Sequence, residues 1–234
     1  MTIQTFNKVT IGQIVADDFR AAAIFKKAGI DFCCGGNQTL EKACKGKRIN
    51  IDELRTELEA LRSSLPSESH DFKHWNLGFL ADYIVNTHHQ YVLRTLPDLV
   101  EYTEKIAVVH GLNHPELNEV MNLFAQINKE LQQHLKNEEE VLFPAIKEAL
   151  KSGSAEAKTI IISEISRMTG EHEFAGGAMD RINYITHGYH LPEDACNTYK
   201  VTFKLLEQFE DDLHIHVHLE NNILYPKAVA LAKG

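Results

Sequence analysis

Two segments of this 234-residue chain repeat a pattern that a purely structural helix has little reason to repeat. The first runs His134-Leu135-Lys136-Asn137-Glu138 and on to Leu142-Phe143-Pro144. The second runs His216-Val217-His218-Leu219-Glu220 and on to Leu224-Tyr225-Pro226. Each puts a histidine and a glutamate at i and i+4, so both side chains leave one face of a helix. In each, a Leu-aromatic-Pro follows the glutamate at the same interval. A single histidine precedes each pair at nearly the same distance: His89 lies 45 residues before His134, and His172 lies 44 before His216. The chain reads as two related halves, each offering one lone histidine and one His-x-x-x-Glu. Four imidazoles and two carboxylates directed into one helical bundle predict a dinuclear metal site.

The surrounding periodicity places these residues in a core. Leu117, Val120, Phe124, Ile127, Leu131, His134, Glu138, Val141 and Ala145 alternate steps of three and four, as do Tyr199, Thr202, Leu206, Phe209, Leu213, His216, Glu220 and Ile223. His88 and His89 are adjacent; a shorter seam, Val85, His89, Val92, Leu96 and Leu99, runs through His89, with His88 about 100° away around the helix, and this phase alone leaves the choice between them open. Buried glutamate is costly unless paired or metal-bound, so these positions require partners. Imidazole with carboxylate suits iron, manganese or zinc and not calcium, and the lack of thiolate among these six argues against a structural zinc cage. Two bridging carboxylates and two histidines per metal leave room for an oxo or hydroxo bridge and a small molecule.

The helical pattern gives four long segments, from about Leu77 to Val108, Pro115 to Leu150, Ser154 to His187 and Pro192 to Leu231, with kinks expected at Pro144 and Pro226. The expected fold is all-α: an antiparallel four-helix bundle over residues 75–234, preceded by a small helical domain over 1–62 and a linker over 63–74 containing Ser63-Ser64-Leu65-Pro66-Ser67-Glu68-Ser69. Within the small domain, Gly29 is a helix stop, and Thr39 and Asn50 or Asp52 are candidate caps. Charge divides along the same boundary. Residues 1–62 carry 10 Lys and Arg against 8 Asp and Glu; the remainder carries 14 against 25. The acidic larger part is a poor partner for nucleic acid. No apolar run approaches a membrane span, Met1 to Phe6 lacks signal-peptide character, and four cysteines do not make a disulfide scaffold, so a reduced, cytoplasmic setting is expected.

Asp31-Phe32-Cys33-Cys34-Gly35-Gly36 is a glycine-rich turn with vicinal thiols. A Cys33–Cys34 disulfide would close a strained eight-membered ring, so redox, metal-binding or nitric-oxide-binding roles compete with simple burial. Lys26, Lys27, Lys42 and Lys45 are near in sequence and favour thiolate. Cys44 and Cys196 have no such context and are expected to pack. His214 and His218 flank His216 at i±2, so they face away from the metal, toward solvent or a supporting position.

In these motifs the chain resembles the hemerythrin-like family, and more closely the iron-sulfur cluster repair di-iron proteins, over nearly its whole length. Asp31 to Gly36 is similar to that family's Cys-Cys-Gly-Gly signature. His134…Glu138-…-Leu142-Phe143-Pro144 and His216…Glu220-Asn221-Asn222 resemble its di-iron domain, and the position of Leu96-Pro97 selects His89. The resemblance implies two irons per chain, with His89, His134, His172 and His216 as terminal ligands and Glu138 and Glu220 bridging. It also implies that Glu130 and Glu171 line an access route or support the ligands, and that Cys33 and Cys34 are redox thiols. The function implied is repair of iron-sulfur clusters damaged by nitrosative or oxidative stress, by stoichiometric iron donation rather than turnover. Iron-sulfur proteins would be transient clients, nitric oxide or oxygen small ligands, and a homodimer would form through the small domain. The alternatives are a nitric oxide reductase and an oxygen or nitric oxide sensor.

Overall fold

The computed structural model describes residues 9–63 and 71–234. Met1 to Phe6 and most of the expected linker, residues 64–70, lie outside them. The described chain is helical, with an isolated bridge between Thr10 and Thr39. The small domain holds α1 (Ile11–Asp17), α2 (Ala21–Lys27), α3 (Leu40–Lys47) and α4 (Ile51–Ser63). Its local signals act where the side-chain chemistry places them. Thr10 and Gln13 form a capping box on α1, Thr39 caps α3, and Asn50 Oδ1 accepts from the Asp52 amide at the start of α4. Gly29, at φ +63°, turns the chain after α2.

The bundle has four rods. The first is α5 (Leu77–Ile84) and α6 (Gln90–His110); the second is α7 (Glu116–Asn137) and α8 (Phe143–Ser152). The third is α9 (Ala155–Ile185), and the fourth is α10 (Asn197–Leu219) and α11 (Tyr225–Lys233). Short links at 111–115 and 153–154 make successive rods antiparallel. The fourth rod begins five residues after Pro192, because residues 192–196 form a turn closed by the Ala195 amide on the Pro192 carbonyl. Phe72, just before the first rod, is buried in the bundle core against Trp75 and Tyr83.

Three rods are not continuous α-helix. Each is interrupted by one π turn, at Val85–His89, Glu138–Leu142 and Glu220–Leu224. A π turn holds one residue more than an α turn, so every later side chain arrives one position late around the helix. The seams show it. Ile84 is buried and Val85 only half-buried; Leu142 is buried, whereas Val141, which the unbroken heptad places inside, is 39% exposed. Pro144 and Pro226 follow directly in the first turns of α8 and α11, where a missing N–H is tolerated.

Candidate metal centre

The three π turns converge at one level of the bundle, between two apolar clusters. Val92, Leu96, Leu131, Phe209 and Leu213 lie on one side; Ile84, Leu142, Ile146, Met168 and Leu224 lie on the other. In that layer His89, His134, Glu138, His172, His216 and Glu220 are all at most 2% exposed. Their ligand atoms form two groups, His89–Glu138–His216–Glu220 and His134–Glu138–His172–Glu220, each with its atoms within 4.8 Å of one another. The two groups share both glutamates. His134 Nε2 lies 3.3 Å from Glu138, His172 Nε2 3.2 Å from Glu220, His216 Nε2 3.0 Å from Glu220 and His89 Nε2 3.4 Å from Glu138. The structure thus gathers all six residues that the sequence nominates.

The donor set fits metal cations better than it fits itself. His134 donates its Nδ1–H to Glu171 at 2.7 Å, and His172 donates its own to Asn221 Oδ1 at 2.9 Å. Each imidazole is thereby left with a bare lone pair on Nε2. Yet the two Nε2 atoms face each other 3.0 Å apart, a repulsive contact unless a cation takes both lone pairs. His89 Nε2, Glu138 Oε2 and Glu220 Oε2 are buried without a hydrogen-bond partner among the described residues. Protons can stand in for a cation, and the titration behaviour shows the pull. Burial opposes charge on His89 and His134, but Glu138 and Glu220 outweigh it for His89, and Glu138, then Glu171 and Glu220, for His134, raising both to about 10. Burial and Glu220 push Glu138 upward, but His134 and His89 prevail and bring it down to about 2.

The repeated sequence pattern has a structural reason beyond the ligands. The aromatic of each Leu-aromatic-Pro stacks on the lone histidine of its own half: Phe143 on His89, with ring centroids 5.7 Å apart, and Tyr225 on His172 at 5.8 Å. Tyr225 also donates its hydroxyl to Glu138 Oε1. The residue after each shared glutamate accepts from that same histidine, Glu139 from His89 at 2.8 Å and Asn221 from His172. These supporting residues escape a reading by helix face. Their contacts cross between rods, and the π turns move them off the expected phase; their signal was their adjacency to Glu138 and Glu220.

The other nominated residues are distributed unequally. Glu171 holds His134 and is itself held by Arg167 at 2.6 Å. Glu130 is exposed and makes no hydrogen bond or ion pair among the described residues. His88 is buried, pairs with Asp212 at 2.9 Å and stacks on His216. His218 faces away from the metal layer, as its spacing requires, but that side is covered by the small domain, so the ring is fully buried against Phe32. Its burial lowers the ring to about 4. Cys44 packs inside the small domain, whereas Cys196 is exposed beside His110 at the start of α10.

Cys33 and Cys34 are free thiols with their sulfurs 3.9 Å apart. Asp31 shapes the turn by accepting from the Cys33 and Gly35 amides at 2.8 and 2.7 Å. Cys34 donates its S–H to the backbone carbonyl of His172 at 3.4 Å, which sets the thiol against the helix that carries a ligand. Cys34 and then burial hold the Cys33 thiol well above its ordinary range, with Asp31 adding to the effect. The lysines near in sequence do not offset this.

Fold and site together define a four-helix bundle with two buried His/Glu groups able to hold metal, on which a small thiol-bearing domain is docked. Residues 80–228 match the hemerythrin HHE cation binding domain, and residues 7–62 match a domain of unknown function, DUF542. Iron-sulfur cluster repair protein YtfE of Pectobacterium carotovorum subsp. carotovorum (strain PC1) is 36% identical over 220 residues, 94% of this chain and 96% of that protein. Its namesakes from Enterobacter sp. (strain 638) and Yersinia pestis are each 33% identical, over 225 and 224 residues, and each alignment spans 96% of this chain and 98% of the relative. The chain belongs to the hemerythrin HHE family, in the branch that contains these two-domain proteins.

Proposed function

We propose that this protein holds two iron ions in the bundle and donates iron to iron-sulfur clusters damaged by nitrosative or oxidative stress. The observation that carries the reading is the pair of ligand groups sharing Glu138 and Glu220. His89 and His216 would hold one ion and His134 and His172 the other, with both glutamates bridging and an oxo or hydroxo group as a further bridge. Bound iron supplies Lewis acidity and a redox couple that nitric oxide or oxygen can engage. The protein's part is to fix bare Nε2 atoms toward the pair through Glu139, Glu171 and Asn221, and to keep the layer dry between its two apolar clusters. Six protein groups, two of them shared, would leave open positions on two ions that prefer six ligands, which suits iron that has to leave. The relatives' printed names support the repair reading.

A second reading has its own observation. Cys34, beside the carbonyl of His172, and its neighbour Cys33 would supply the two electrons and two protons that join two nitric oxide molecules into nitrous oxide and water, leaving a disulfide. In either reading Cys33 and Cys34 act as redox thiols, Glu171 supports a ligand and Glu130 lies on an approach to the site. Iron-sulfur proteins are the clients, met transiently in the cytoplasm, and the small domain is the contact of a homodimer. Among the described residues no helix is long and apolar enough to cross a membrane.

Metal content with Mössbauer spectra, for the native chain and for Glu138→Ala/Glu220→Ala, tests the centre. Two coupled irons per chain, lost in the variant, are expected; one zinc or no metal overturns it. Incubation with nitric oxide and a reductant separates the two readings. Sustained nitrous oxide production supports the reductase, and a single stoichiometric event supports repair.

A further inference from the structure

The two halves of the centre are built on one plan, and the plan breaks at one residue. The residue before each lone histidine lies against the histidine of the opposite pair. In one half that residue is Glu171, before His172, and it takes the Nδ1–H of His134 at 2.7 Å. In the other half it is His88, before His89. Its ring lies parallel to that of His216, with centroids 5.6 Å apart and planes inclined by 7°. No hydrogen bond joins the two rings among the described residues. His88 instead directs its Nδ1 to Asp212 at 2.9 Å. His216 Nδ1 is therefore buried with no hydrogen-bond partner among the described residues, alone in this among the four candidate ligand histidines.

This matters for ligation because a neutral imidazole has one proton and two nitrogens. To bind a cation through Nε2, it must keep the proton on Nδ1. For His89, His134 and His172, an acceptor already holds the proton there. His216 has no such acceptor, and its Nε2 faces Glu220 Oε1 at 3.0 Å, where a proton is well placed. Ligation moves that proton to a nitrogen buried without an acceptor, and the unmade hydrogen bond opposes binding.

We infer that the two metal positions are unequal, and that the ion held by His89 and His216 is the labile one, released before the ion held by His134 and His172. His88 is the positioning residue that sets the difference. The inference deepens the iron-donation reading and rests on it: one position would be the exchangeable cargo site, and the other would stay filled and keep the bundle assembled. Loss of one supporting hydrogen bond to a ligand histidine weakens metal binding by about 10- to 100-fold, which sets the expected gap between the two ions.

The experiment is anaerobic release of Fe(II) from the loaded full-length protein into an excess of a chromogenic ferrous chelator. Two phases of equal amplitude are expected, about 10-fold or more apart in rate. His88→Glu places a carboxylate where the other half has Glu171, and it is expected to slow the fast phase toward the slow one. Glu171→Ala, a change at a half-buried position, is expected to speed the slow phase toward the fast one and keeps the test open if His88→Glu does not fold. Release of both irons from the native chain in one phase overturns the inference. So does a folded His88→Glu whose fast phase is unchanged, or a Glu171→Ala that leaves both phases as they were. A native chain that holds fewer than two irons overturns the di-iron reading instead, so the two failures are distinguishable.

Discussion

A ligand histidine is only as good as the group behind it, and Asn221 shows what that group does. Its amide oxygen takes the Nδ1–H of His172 at 2.9 Å, fixing both the tautomer and the ring angle. Asn221→Ala is expected to weaken iron binding about 10- to 100-fold while leaving helical content unchanged, as read by chelator competition beside circular dichroism. A similar loss in helicity would mean instead that Asn221 holds the fourth rod together. The clustering of the six candidate residues was legible in the sequence because i, i+4 spacing is a local rule and the same spacing occurs twice. Glu139 and Asn221 were not nominated from helix phase, since each reaches a histidine about 50 residues away on another rod. The choice of His89 over His88 rests on the family's spacing from Leu96-Pro97, with the helical angle in weak agreement. His88 lies outside both His/Glu groups, yet within the π turn its ring is buried as well.

At the scale of the element, the π turn is what sequence periodicity could not supply. The apolar seam of the second rod holds from Leu117 to Glu138 and fails at Val141, because one extra residue in Glu138–Leu142 moves Leu142 into the core. The structure therefore inverts the stability expected of two neighbours. Leu142→Ala should cost about 2–5 kcal/mol through the cavity it leaves. Val141→Ala should change stability by no more than about 0.5 kcal/mol. Urea unfolding of the two variants decides between an unbroken heptad and the π turn, since the heptad reverses the order. The same turns bring Phe143 and Tyr225 over His89 and His172. The Leu-aromatic-Pro repeat was visible in the sequence as a regularity, and its purpose became visible only with the rods in place.

At the scale of the whole molecule, the small domain is fastened to the fourth rod beside a candidate ligand. Asn222, two residues after Glu220, donates its Nδ2–H groups to the carbonyls of Phe32 and Cys33 at 3.3 and 3.1 Å. Gly12 and Gly36 leave the space for it: a Cβ on Gly12 would lie 2.0 Å from Asn222 Oδ1. Gly12→Ala must displace a side chain whose hydrogen bonds hold the thiol turn. It should lower stability by about 1–3 kcal/mol and make Cys34 react faster with a thiol reagent, an outcome that a change confined to α1 would not produce. Charge and the run from Ser63 to Ser69 suggest a division into two parts, but nothing in the sequence pointed to this fastening, because a glycine and an asparagine 210 residues apart share no pattern.

Metal removal tests the same scale. Without cations the core layer holds two ionised glutamates beside histidines, with His89 and His134 raised to about 10 as their counter-charges. That arrangement balances the buried charge without a metal, with the Nε2 atoms of His134 and His172 3.0 Å apart. A cation bound only by the folded state adds about 4 kcal/mol per site when present at about 1,000 times its dissociation constant. The chelated protein should therefore retain its helices and melt at a lower temperature, and Fe(II) should restore the difference. Glu138→Gln/Glu220→Gln removes both shared carboxylates, so its melting temperature should not respond to Fe(II). An equal response in that variant would place the stabilising metal outside the bundle core.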